Sequence, residues 1–183
     1  MQKKTMTNKI SFEINGEKTL EAILYVAQKL GGKVNQYNLM KIFFEADKYH
    51  LNKYARPVTG DVYIAMPLGT VPSSIKDFVA GNELALASMG IEEYPFSKDG
   101  HFIKTKRDPK MDFLSESDVE ALDVGITQYG SLTFKQVHDK NHNEQAWLKT
   151  YHSMPNQAIS FEDMIDNEEI LEYLRENSYS IVI

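Results

Sequence analysis

Apolar and polar positions change period several times along the chain. Ile10, Phe12 and Ile14 alternate with Ser11 and Glu13, and Asn15-Gly16 follows as a turn signal, so a short strand is expected over 10–14. From Lys18 the period lengthens: Leu20, Ile23, Leu24, Ala27 and Leu30 recur at helical spacing until Gly31-Gly32 closes the pattern. Asn35 can cap a second helix, in which Leu39, Phe43, Ala46 and His50 mark one face while Met40, Ile42 and Phe44 widen the apolar arc. A helix that is apolar on most sides belongs at the centre of a fold. Arg56-Pro57 ends it, because proline keeps the residue before it out of the helical region. The stretch "PVTGDVYIAM" then reads as extended with a turn at Thr59-Gly60-Asp61, and "MPLGTVPSS" as a loop stiffened by Pro67 and Pro72. Ser73 or Ser74 offers the cap of a third helix through Ile75, Phe78 and Val79 to about Gly81, with an extension to Ser88 left open.

In "EEYPFSKDGHFIKTKR" the Asp99-Gly100 pair predicts a hairpin turn, with Asp108-Pro109-Lys110 as the loop out of it. Ser115 and Asp118 have capping-box spacing ahead of Val119, Leu122 and Ile126, which share a helix face ending at Gly130. Short helices are expected through Phe134 and Val137, through Trp147 and Leu148, and, in an acidic segment, through Ile170, Leu171 and Leu174; "SYSIVI" suits a terminal strand. Internal repeats and long linkers are absent. The expected architecture is α+β and mainly helical: one compact domain over 10–183 behind a mobile tail over 1–9, with a central apolar helix and a small antiparallel sheet or hairpin.

The 183 residues, 42% hydrophobic and 25% charged, are enough to bury a real core. A formal charge of −6 argues against a broad phosphate-binding surface, so no direct nucleic-acid partner is expected. The absence of cysteine excludes disulfides, thiolate nucleophiles and Cys-based zinc sites. Lys3, Lys4 and Lys9 are followed by no apolar leader, and nowhere do about eighteen apolar residues run together. A soluble, unexported cytoplasmic protein with no membrane partner is expected.

Candidate chemistry is sparse. Asp47 and His50 lie three residues apart on the second helix, and His138 and His142 lie four apart, a spacing that can seat a metal; a small metal-dependent hydrolase using these four is the enzymatic alternative. Against it, "HDKNH" lacks the glutamate that follows the first histidine of HExxH, and neither a GxSxG elbow nor a glycine-rich phosphate loop occurs. No catalytic residue, metal ligand or cofactor is assigned. A helix-turn-helix can be drawn from Lys18 to Tyr54, but its second helix would press Leu39, Met40, Ile42, Phe43 and Phe44 against water and phosphate. Trp147 and the Phe43-Phe44 pair read as core anchors. Arg56 offers a planar fork to an acid, and Asp47, one helix away, is its expected partner, locking the turn at Pro57, Thr59 and Gly60. "MPLGTVPSS" is then the expected contact loop, since its prolines lower the entropy lost on binding. The acidic "EDMIDNEE" could steer a basic partner.

The order of four blocks resembles the Panacea domain, the family of SocA-like antitoxins and phage-associated relatives. They are "LMKIFFEAD", "YARPVTGDVYIAM", "LGTVPSS" and "HNEQAW", and the resemblance spans about Leu20 to Trp147. It marks Lys41, Asp47, Gly60, Gly69, His142 and Trp147 as structural motif positions. Together with the loop argument, it places a partner surface at Arg56, Thr59, Tyr63, Pro67, Leu68, Thr70 and Val71. It implies neutralisation of a cognate toxin by direct contact, with delivery to an AAA+ protease as a further possibility; a phage protein that sequesters a host factor would use the same contacts. Two positions depart from the family pattern: Ala55 stands where a glycine precedes Arg56, and Thr70 replaces the proline of a Gly-Pro-Val loop.

Overall fold

The computed structural model describes residues 9–88 and 90–177. Two asparagine caps set the first elements. The Asn15 side chain accepts from the Lys18 amide at 3.0 Å and opens α1 (Gly16–Lys29); Asn35 accepts from the Tyr37 amide at 2.8 Å and opens α2 (Gln36–Tyr54). Helix α2 stands between two cores, which is why its sequence is apolar almost all round. Leu39, Ile42, Phe43 and Ala46 pack into one, with Ile23, Val26 and Leu122; Phe44 and Leu51 pack into the other, with Tyr63, Trp147, Phe161 and Leu174.

Along the first core runs α5 (Glu116–Tyr129), opened by the Ser115–Asp118 capping box. The two helices approach backbone to backbone at Gly125, where a Cβ would lie 2.4 Å from the Ile42 carbonyl oxygen. Only glycine fits that crossing.

Among the described residues, five short strands make two sheets. Strand β1 (Lys33–Asn35) precedes α2, and β2 (Tyr63–Met66) pairs antiparallel with β3 (Gly69–Pro72), Met66 opposite Gly69. The hairpin of β4 (Phe96–Asp99) and β5 (Phe102–Thr105) turns where Asp99-Gly100 predicts, and β1 adds to its β5 edge, again antiparallel. The remaining α-helices among the described residues are α3 (Ser73–Ala80), α4 (Glu83–Ser88), α6 (Phe134–Asn141), α7 (Gln145–Ser153), α8 (Phe161–Met164) and α9 (Glu168–Asn177). The mainly helical α+β architecture matches the sequence expectation.

Several local expectations need correction. Residues 10–14 form no strand: Ile10 and Phe12 are buried against α8, where the Ile10 amide donates to Glu162 at 2.9 Å and the Phe12 ring meets Phe161 edge-on at 4.9 Å. Alternation there records one-sided burial without a pairing partner. "MPLGTVPSS" is no free loop, since all but its two-residue tip, Pro67-Leu68, belongs to β2, β3 and the start of α3. Neither Ser73 nor Ser74 caps α3; the cap position is Pro72, and Asp61 supplies the missing acceptors, taking the Ser74 amide at 3.0 Å and the Ile75 amide at 2.8 Å. Gly81 ends α3, and α4 is a separate element. The acidic C-terminal segment also splits in two, because the Asn52 side chain takes the Asp166 and Asn167 amides between α8 and α9. The tail expected over 1–9, apart from Lys9, and the strand expected over 178–183 lie outside the described residues.

Candidate partner-binding site

The site grows from the block of sequence that follows α2. Its base is Asp47, fully buried on α2. One carboxylate oxygen accepts from the Val58 amide at 2.9 Å and the Thr59 amide at 3.0 Å; the other accepts from the Thr59 hydroxyl at 2.6 Å and the Tyr63 hydroxyl at 2.9 Å. Burial pushes the Asp47 carboxyl up to about 6, and the hydrogen bonds from Thr59 and Tyr63 hold it from rising further. Asp61, past the turn at Gly60, repeats the device toward α3, so two buried acids fold the chain between α2 and α3 around themselves.

Arg56 is not the partner of Asp47. It donates to Asp118 at 3.2 Å and to the Ser117 hydroxyl at 3.3 Å on α5, because Asp47 already spends its acceptors on the turn. Asp118, 2% exposed, also meets Lys18 at 2.9 Å and stands 3.6 Å from the His50 ring. Burial pushes the Asp118 carboxyl up, but Ser115 and Lys18 outweigh it and hold the group below its ordinary value. His50 Nδ1 faces the Arg56 carbonyl at 2.6 Å, so that nitrogen carries the proton, and burial holds the ring below its ordinary pKa.

Above this base the β2–β3 hairpin is gripped from three sides. Trp147 donates from Nε1 to the Met66 carbonyl at 2.9 Å, and the Tyr37 hydroxyl donates to the Leu68 carbonyl at 2.9 Å. The Lys41 ammonium donates to the Thr70 carbonyl at 2.6 Å, and Asn141 accepts from the Thr70 amide at 2.7 Å. Lys41 is completely buried, and burial brings it down to about 7. Gly69 sits at φ +102 with this cluster at its back: a Cβ there would lie 2.0 Å from the Asn141 Oδ1 and 2.9 Å from the Lys41 Nζ. The departure at Thr70 gains a reason, since its N–H serves Asn141 and proline has none. The departure at Ala55 does not, since this alanine closes α2 in the left-handed region at φ 57, where glycine rests without strain.

The "HNEQAW" block places His142 at the end of α6 and Trp147 on α7, their rings stacked at 4.3 Å. The file continues on both sides, to His138 at 3.8 Å and to Tyr151 at 4.6 Å. Burial lowers the His142 pKa, the neighbouring His138 adds to this, and the Pro67 backbone opposes it. The four residues of the hydrolase alternative do not converge, and among the described residues no group of three or more His, Cys, Asp or Glu is placed to hold a metal.

Of the predicted contact residues, Pro67 and Leu68 are exposed and Arg56 and Val71 are half-buried. Thr59, Tyr63 and Thr70 are buried and belong to the frame, because their polar atoms hold Asp47 and Asn141. Beside the tip lies a groove of about 470 Å³ lined chiefly by Tyr37, Met40, Met66, Leu68, Val71 and Val79. Sequence reasoning missed the roles of Asp61, Tyr37, Asn141 and Asp118, because the contacts that give them those roles, with Ser74 and Ile75, Leu68, Thr70, and Lys18 and Arg56, come from distant parts of the chain. The capping box that contains Asp118 is visible in sequence, but Lys18 and Arg56 around it are not.

The arrangement is a hydrogen-bonded frame of buried charge that presents a short, stiff apolar tip. The chain belongs to the antitoxin SocA-like, Panacea domain family, whose model matches residues 39–148, from α2 to α7. No curated protein and no solved structure matches it. No helix among the described residues is long and apolar enough to cross a membrane.

Proposed function

We propose that this chain neutralises a cognate toxin by direct contact, using the tip of the β2–β3 hairpin and the groove beside it. The observation that supports this most is Leu68, left 51% exposed at a turn whose main chain is held by Tyr37, Trp147, Lys41 and Asn141. An apolar side chain displayed on so firm a mount loses little entropy on docking. Delivery of the bound toxin to an AAA+ protease is an extension of the same reading that the family suggests, and it would act in the cytoplasm. A phage-borne protein sequestering a host factor would employ the same face. A metal-dependent hydrolase has less support, since Asp47 is saturated with donors and His138 stacks on His142.

Co-expression with the product of the adjacent reading frame should relieve toxicity and give a co-purifying complex. Leu68→Asp should abolish both without lowering the melting temperature. No rescue and no complex with either neighbouring gene product would overturn the proposal.

A further inference from the structure

The groove beside the hairpin is one half of a larger concave face. On the other side of the Tyr37 ring lies a second recess of about 360 Å³, lined by Leu30, Val34, Phe102, Leu132 and Phe134 among others. Tyr37 lines both recesses and packs on Phe134 at 4.6 Å, so the two rings form a ridge between them. The groove beside the hairpin is mainly apolar, while the second recess also carries Asn35, Asn38, Ser131 and Thr133 in its wall; at the rim Phe134 is 56% exposed and Phe102 38%, with Leu68 at the far end.

Its charge is as telling as its hydrophobicity. The chain carries 26 acidic against 20 basic residues, yet neither recess has an Asp or Glu in its wall. The charged side chains lining them are Lys33 in one and Lys76 in the other. Lys33 lies over the Phe102 ring at 5.2 Å; Lys76 reaches Asp77 at 3.1 Å, a pair half in solvent that a stronger acid partner can displace.

We infer that the two recesses form one docking seat for an acidic amphipathic segment of a partner protein. Its apolar side chains fill both recesses across the Tyr37–Phe134 ridge, and its Asp or Glu side chains meet Lys33 and Lys76. The inference rests on the reading of the chain as a protein-neutralising module and names the chemistry of the element it grips. It also sets the seat apart from the acidic C-terminal segment, two of whose carboxylates, Asp163 and Asp166, already face Lys149 and Lys48.

The seat is tested without a toxin. A displayed library of random 15-residue peptides is selected on the full chain, and enriched peptides are measured on two variants: Leu68→Asp with Phe134→Ser, and Lys33→Glu with Lys76→Glu. All four positions are exposed, and unchanged thermal unfolding of each variant verifies the fold. Enriched peptides should interleave apolar residues with Asp or Glu, lose about tenfold or more in affinity on each variant, and weaken as salt rises. Basic peptides, peptides that bind the variants as they bind the parent, or no enrichment would overturn the seat. So would self-association of the parent that the first variant abolishes, because the occupant would then be a second copy. A toxin that both the parent and the first variant neutralise would overturn the seat and leave neutralisation standing; a parent that neutralises nothing would overturn the functional reading while the peptides still decide the seat.

Discussion

Asp47 offers the most direct test of the frame. In Asp47→Ala the Val58 and Thr59 amides lose the one oxygen that serves both, and two hydroxyls lose the other. The hydroxyls can re-aim, but the amides cannot. Two orphaned buried amides at about 1–3 kcal/mol each, with the small cavity left behind, total about 3–6 kcal/mol, a large share of the roughly 5–15 kcal/mol that holds a domain together. Asp47→Asn keeps the oxygen that serves the amides and offers its NH2 to the hydroxyls, so it should lie within about 2 kcal/mol of wild type. The two substitutions also differ with pH. The folded carboxyl titrates at about 6 against an ordinary 3.8, so the folded state holds the proton more tightly. This group's contribution is therefore greatest below pH 3.8 and falls by up to about 3 kcal/mol as pH rises through 6. The Asn variant lacks that dependence and should gain on wild type between pH 4 and 7. Urea unfolding followed through the single tryptophan, Trp147, measures both effects. An Ala variant within about 1 kcal/mol of wild type, or an Asn variant as damaged as the Ala variant, would refute the argument.

Asp118→Asn should cost about 3 kcal/mol by leaving Lys18 and Arg56 without their buried anion. Its pH dependence has the opposite sign to that of Asp47: the folded value is depressed, so the deficit is full above pH 3.8 and fades as pH falls through the lowered value, which urea titrations at pH 7 and pH 3 would reveal. Gly69→Ala should destabilise by about 2–4 kcal/mol, through positive-φ strain and displacement of Asn141, read as a lower urea midpoint. Ala55→Gly should stabilise by up to about 1 kcal/mol, because it relieves left-handed strain at the end of α2; a lower melting temperature would contradict the geometry.

What could be foreseen from sequence is what is decided within a few residues. The caps of α1, α2 and α5 and the Asp99-Gly100 turn are local arrangements, with partners two to three residues apart. The apolar wrap of α2 likewise announced its central place. The parts that misled depend on distant chain. Arg56 finds its acid 62 residues away, and two nearer groups, Val58 and Thr59, had taken the one expected for it. The two prolines around the hairpin suggested a loop, yet Pro67 occupies the tip and Pro72 the last pairing position, opposite Tyr63. Asn141, the last residue of α6, reaches back to Thr70, 71 positions earlier in the chain. Of the face proposed for docking, the two prolines of the hairpin stand in the sequence; the recess beyond Tyr37 does not show there, because it is assembled from the residue after α1, β1, α2, β5 and the α5–α6 connection.

The hydrogen bonds that hold the hairpin turn fall on main-chain atoms: the carbonyls of Met66, Leu68 and Thr70, and the Thr70 amide. Such atoms are common to nearly every residue type, so the identities at 66–68 can change while the mount keeps its grip. The mount thus works as a holder for exchangeable side chains. Under the proposed function, new preferences in what is recognised would arise by point substitution there, with the architecture beneath left undisturbed.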